Sequence, residues 1–146
     1  MTTKAVHVLN GPNLDLLGVR EPEIYGTTTL ADIEVMCRDA AKGPLVFRQT
    51  NHEGMLVDWM HEANAEGAKA VLINAGAYTH TSIALLDAIR AIRTPVIEVH
   101  LSDPSTRETF RHLSYVGMAA KKTVQGLGAK GYIVALDAAA QLENGE

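Results

Sequence analysis

Short apolar runs alternate with segments of helical periodicity along this chain. Val6-His7-Val8-Leu9 is a largely β-branched run stopped by Asn10-Gly11-Pro12, a strong turn signal. Leu45-Val46-Phe47, Ala70-Val71-Leu72-Ile73 and residues 96–99 repeat the pattern. The run Ala70-Val71-Leu72-Ile73 is wholly apolar, as suits a strand covered on both faces. A weaker fifth strand is expected around Thr123-Val124-Gln125-Gly126, too polar for a central position. Between the strands, the spacing predicts helices over 29–41 (Leu30, Ile33, Met36, Cys37), 51–65 (Leu56, Trp59, Met60, Ala63) and 81–92 (Ile83, Leu86, Ile89, Ile92). Two more are expected over 104–113 and 132–142. Gly43-Pro44 and Thr94-Pro95 end two of the five, because proline cannot continue the hydrogen-bond ladder. For 104–113 the candidate caps are Ser102, Asp103 and Ser105, the last forming a capping box with Glu108.

Strands alternating with helices of 10–15 residues read as βαβ units, hence a parallel sheet covered on both faces. Right-handed crossovers leave few topologies. The expected fold is α/β: a three-layer, flavodoxin-like domain over residues 1–146, with five parallel strands in the order 2-1-3-4-5. In such sheets ligands bind outside the carboxyl ends of the strands, near the switch in strand order. Those ends are Asn10-Gly11-Pro12-Asn13, Arg48-Gln49-Thr50-Asn51, Asn74-Ala75-Gly76 and His100-Leu101-Ser102. All are small and polar, a composition shared by binding rims and by ordinary turns.

Composition narrows the function. The 146 residues are 47% hydrophobic and 21% charged, which fits a folded chain rather than a disordered one. A net charge of -4 provides no basic field for nucleic acid or an anionic membrane. The single Cys37 cannot form an internal disulfide. Met1-Thr2-Thr3-Lys4 contains no signal-peptide core, and no apolar stretch approaches the roughly 20 residues that span a bilayer. A cytoplasmic protein is expected.

Three constellations could carry chemistry. Glu98 and His100 stand two apart on the fourth strand and so project to one face, where a carboxylate orients an imidazole for acid–base work. A structural ion pair would have the same spacing. Arg107 and Arg111 are i,i+4 on the expected helix, and their mutual repulsion suits an anionic partner or a plain solvated face. The N–H groups of Leu101, Ser102 and Asp103, just ahead of that helix, form a ready anion site. Tyr25 and Arg20 lie in a stretch bounded by Gly18 and Gly26 that could close as a lid, or pack as a surface loop. A phenol titrates near 10, and a nearby guanidinium favours its phenolate.

Other signals weigh less. Gly126-Leu127-Gly128-Ala129-Lys130-Gly131 has the spacing of a dinucleotide loop but lacks the following strand and acidic residue, so it reads as a tight strand-to-helix connection. His52, His61 and His112 lack metal-ligand spacing, and neither metal nor cofactor is expected. His7 and Trp59 read as packed. None of the six lysines ends a strand, which leaves no obvious Schiff-base nucleophile, and Cys37 sits on an apolar helix face.

Val8-Leu9-Asn10-Gly11-Pro12-Asn13-Leu14, Leu17-Gly18, Arg20-Glu21-Pro22 and Tyr25-Gly26 resemble the N-terminus of type II 3-dehydroquinate dehydratases. Asn74-Ala75-Gly76-Ala77-Tyr78-Thr79-His80-Thr81-Ser82, Glu98-Val99-His100-Leu101-Ser102, Arg107-Glu108, Phe110-Arg111, Gly126-Leu127-Gly128 and Gly131-Tyr132 continue the likeness over nearly the whole chain. The resemblance implies anti elimination of water from 3-dehydroquinate through an enolate, without metal or imine. By this likeness Tyr25 is the base, activated by Arg20 and Arg107, and Asn13 holds a water on the enolate oxygen. His100, oriented by Glu98, protonates the departing hydroxyl. The substrate carboxylate rests on the N–H groups of Leu101 and Ser102 with Asn74, while His80 and Arg111 bind ring hydroxyls. Asp87 enters a neighbouring subunit's site, within a homododecamer of four trimers.

Two departures stand out. Asp103 occupies a position that is usually Asn, and Gly117-Met118-Ala119-Ala120-Lys121-Lys122 replaces a Ser-Pro-Ile type segment, which bears on subunit packing more than on chemistry. Two alternatives remain at this point. One is a flavodoxin-like binding module, although Asn10 and Asn74 stand where a receiver would need acids. The other is a family member that is inactive or takes a related substrate.

Overall fold

The computed structural model describes residues 4–19 and 21–142, apart from the Tyr25 side chain. Five parallel strands, β1 (Val6–Asn10), β2 (Leu45–Gln49), β3 (Ala70–Asn74), β4 (Val96–Val99) and β5 (Lys122–Val124), lie in the order β2-β1-β3-β4-β5. This is the expected order. Alternation along each strand feeds two separate apolar layers. Val8, Leu72, Ile97 and Val99 face α2 (Leu30–Ala40) and α5 (Lys130–Ala140), with Ile33, Cys37, Tyr132 and Leu136 opposite them. Leu9, Val71, Ile73 and Val96 face α3 (Glu53–Ala65) and α4 (Ile83–Ala91), with Leu56, Met60, Leu85 and Ile89 opposite. β3, at the centre, is buried at every position, while β5 is a short edge strand with Lys122 and Thr123 exposed.

Local chemistry explains most element boundaries. Thr29 caps α2 through a reciprocal capping box with Asp32 (3.0 and 3.1 Å). The Gly126–Gly128 segment is a tight connection, its glycines donating N–H bonds to Ser102 O (3.0 Å) and Leu101 O (2.9 Å). Burial pushes the Cys37 thiol up to about 11, which agrees with an inert packing residue. His7 is fully buried on β1, with Nε2 3.0 Å from Glu66 Oε2. Among the described residues no helix is long and apolar enough to cross a membrane.

Several expectations need correction. α3 starts at Glu53 rather than 51, and Trp59 is only half-buried, with the Arg48 guanidinium 5.3 Å above its ring. α4 starts at Ile83, because Ser82 caps Leu85 N–H (2.9 Å) and residues Gly76–His80 form a separate 3₁₀ turn. Its buried face is Leu85, Leu86, Ala88 and Ile89, and Ile83 is exposed. Residues 104–113 do not form one helix. They make two 3₁₀ turns, Pro104–Thr106 and Thr109–Arg111, and the cap is Asp103, whose carboxylate accepts Ser105 N–H (3.0 Å). The capping box of Ser105 with Glu108 does not form, because Arg107 and Glu108 have extended ψ angles of -165° and 147°.

Candidate active site

At the carboxyl edge of the sheet, the turns after β1 and β3 touch backbone to backbone. Gly11 donates its N–H to Asn74 O (2.8 Å), and a Cβ at position 11 would come within 2.5 Å of Ala75 O. Only glycine fits there. The turn delivers Asn13 at φ 68°, a left-handed conformation that Asn tolerates better than most residues. Asn13 is exposed, and its backbone N–H is anchored on Asn51 Oδ1 (3.0 Å).

On the opposite side of the switch point, Glu98 projects from β4 towards the α3–α4 layer. His100 Nε2 lies 2.6 Å from Glu98 Oε2. That oxygen also accepts the Ser114 hydroxyl, and Oε1 accepts the Thr123 hydroxyl at 2.7 Å. The carboxylate is 1% exposed. Burial opposes its charge, yet the bonds from His100, Ser114 and Thr123 win and hold it below its ordinary value of 4.5. A carboxylate must accept, so His100 Nε2 carries a proton and Nδ1 is left to exchange one.

His100, Leu101, Ser102, Asn74, His80, Arg107 and Arg111 all line one cleft. Among the described residues, the N–H groups of Leu101 and Ser102 donate to no protein group. They are donors without a protein acceptor on the cleft, and the helix expected behind them is a three-residue turn that contributes no macrodipole. Arg107 and Arg111 are therefore not i,i+4 neighbours on a helix; two successive turns bring both into the cleft. Arg107 reaches Ser102 Oγ (3.3 Å), and Arg111 is bound by Glu108 (2.9 Å). His80 gives Nδ1–H to Leu113 O (2.7 Å). Burial, reinforced by the charges of His100 and Arg111, outweighs that bond and holds it below 6.5, so a neutral ring presents Nε2. Asp103 is committed to Ser105 through both N–H and Oγ (2.6 Å), bonds that lower its pKa and spend the carboxylate on capping the turn.

Asp87 is exposed on α4 and does not line the cleft. Arg20 lies outside the described residues, as does the Tyr25 side chain, whose backbone ends the short helix α1 (Pro22–Tyr25). A larger cavity of about 770 Å³ opens at the amino end of the sheet. Its walls are mostly alanine and aliphatic side chains, with Lys4, Lys42, Lys69 and Asp137 among them, the last paired with Lys42 at 3.7 Å. No group of three metal-ligating side chains occurs among the described residues.

Sequence reasoning missed Ser114, Thr123 and Gly117 as parts of this site. The 117–122 departure bears directly on chemistry: a methyl at Gly117 would sit 2.8 Å from Glu98 Oε1 and 3.0 Å from Ser114 Oγ. Gly117→Ala should displace the Glu98–His100 pair and lower kcat about 10- to 100-fold with little change in KM. Steady-state kinetics check this; an unchanged kcat contradicts it. Thr123→Val removes one bond to a carboxylate and should cost about 1–2 kcal/mol at pH 7. Because the folded carboxyl titrates lower than the unfolded one, this contribution is complete above about pH 4.5 and is lost as the pH falls through the folded value. Urea unfolding at pH 7 and about pH 3 should show the difference shrinking; a pH-independent difference would refute the bond's role.

The fold and cleft together define a doubly wound α/β protein with an acid–base site at the carboxyl edge of its sheet. The sequence profile of the family described as dehydroquinase class II matches residues 4–140. A 3-dehydroquinate dehydratase of Acidovorax sp. (strain JS42) is 55% identical over 95% of this chain and 99% of its own. One from Caulobacter sp. (strain K31) is 56% identical, covering 95% and 96%. The crystal structure of type II dehydroquinase from Propionibacterium acnes superposes with a TM-score of 0.90 at 41% identity, covering 96% of this chain and 99% of that one. The chain belongs to the class II dehydroquinase family.

Proposed function

We infer that this protein is a 3-dehydroquinate dehydratase, a hydro-lyase that reversibly removes water from 3-dehydroquinate to give 3-dehydroshikimate. The observation that carries the reading is the Glu98–His100 pair at 2.6 Å, opening on a cleft that also holds Arg107, Arg111 and the Leu101–Ser102 N–H groups. Family membership and relatives bearing that name support it.

The Tyr25 phenolate, with Arg20 and Arg107 stabilising its charge, takes the proton alpha to the ketone. The freed electron pair moves into the carbonyl as an enolate, whose oxygen is met by a water held on Asn13. The enolate collapses, the carbon–oxygen bond of the β-hydroxyl breaks, and His100 Nδ1 gives its proton to the departing oxygen, which leaves as water. Solvent then reprotonates His100 and takes the proton from Tyr25. Asn74 and the two N–H groups hold the substrate carboxylate, and His80 and Arg111 hold ring hydroxyls. Purified protein should turn over 3-dehydroquinate with the rising ultraviolet absorbance of a conjugated enone, insensitive to borohydride. Absence of that absorbance would overturn the reading.

The same reading makes the working particle a cytoplasmic homododecamer of four trimers, formed from single-domain subunits, with Asp87 completing a neighbour's site. The exposure of Asp87 and of Ile83 on α4, with Phe110 and Leu113 also exposed, supports a covered face there. Sedimentation of a monomer alone would count against it.

A further inference from the structure

Tyr132, on α5, is completely buried, and its hydroxyl stands between the carboxyl ends of β1 and β3. It donates to Asn10 Oδ1 at 2.7 Å and accepts from Asn74 Nδ2 at 3.0 Å. Asn10 Nδ2 in turn donates to Arg48 O (3.0 Å), and Asn74 Oδ1 accepts Gly76 N–H (3.2 Å). The polarity of this chain admits one solution. A backbone carbonyl can only accept, so Asn10 must present its NH₂ to Arg48 and its oxygen to the phenol. The phenol has one proton, spent on Asn10, so it must accept from Asn74. A backbone N–H can only donate, so Asn74 gives its oxygen to Gly76.

We propose that Tyr132 is a positioning residue for substrate binding, its hydroxyl fixing the Asn74 amide so that the second Nδ2 hydrogen is held for an anionic group in the cleft. Asn74 lines that cleft and is 4% exposed, so its amide has little solvent to reorient against. An apolar ring would fill the same space in the α2–α5 layer without burying a hydroxyl, which is costly unless bonded. The phenol touches no residue placed in proton transfer, so its influence falls on affinity rather than on the chemical step. Burial also raises its pKa, keeping it a neutral donor across the working range. The inference rests on the cleft being the 3-dehydroquinate site.

The test is a double-mutant cycle with 3-dehydroquinate as substrate. Wild-type turnover is measured first, and its failure would sink the functional reading independently of Tyr132. Tyr132→Phe should raise KM about tenfold while kcat stays within about threefold. In an Asn74→Ala background the same change should move KM by less than about twofold, because the amide it orients is gone. An unchanged KM in the single variant, or an equal rise in both backgrounds, overturns the proposal. If Tyr132→Phe does not fold, Asn10→Ala serves instead. It strips the phenol of its acceptor, so the hydroxyl proton competes with Gly76 N–H for Asn74 Oδ1 and unsettles the amide, with the same expected KM rise. Loss of folding in both variants also overturns it, since the hydroxyl would then be structural.

Discussion

Alanine at His100 should lower kcat by about 10²–10⁴-fold, the usual worth of a positioned general acid. KM should change little, because the carboxylate and hydroxyl contacts remain with other residues. The variant should still fold. Glu98 loses one of three hydrogen bonds but keeps those from Ser114 and Thr123, a cost of about 1–3 kcal/mol. Product absorbance and a melting curve check both halves. A near-normal rate from a folded variant would remove His100 from the mechanism.

Phenylalanine at Tyr25 should cost a similar 10²–10⁴-fold in kcat, roughly. It keeps the ring and removes only the oxygen proposed to take the alpha proton. Exchange of that proton with deuterated water gives a second, sharper readout. His100→Ala should still exchange it, because deprotonation comes before loss of hydroxide, whereas Tyr25→Phe should not. Equal exchange in both variants would rule out the division of labour between phenol and imidazole.

The sheet was legible because its signal is local. β3 is apolar at four successive positions and is buried throughout, and Thr29 announces α2 through a cap and an acid three residues on. The segment 104–113 misled for an equally physical reason. Pro104 suits a first helical turn, and Ser105 with Glu108 imitates a capping box, but the Asp103 side chain takes the Ser105 N–H first and the chain turns twice instead. Glu98 and His100 could be found from a two-residue spacing. The residues that hold them could not: Ser114 and Thr123 reach Glu98 across 16 and 25 residues, and Tyr132 reaches Asn10 across 122. Such contacts leave no periodicity to detect.

The abutting turns at Gly11 and Ala75 also constrain redesign. That junction, next to Pro12 and Gly76 of the cleft lining, is main chain against main chain, with no side chain available to trim or extend. Any effort to retune the protein towards bulkier or differently hydroxylated rings must therefore work from the walls, at His80 and Arg111. Libraries directed at position 11 would return misfolded chains rather than altered selectivity.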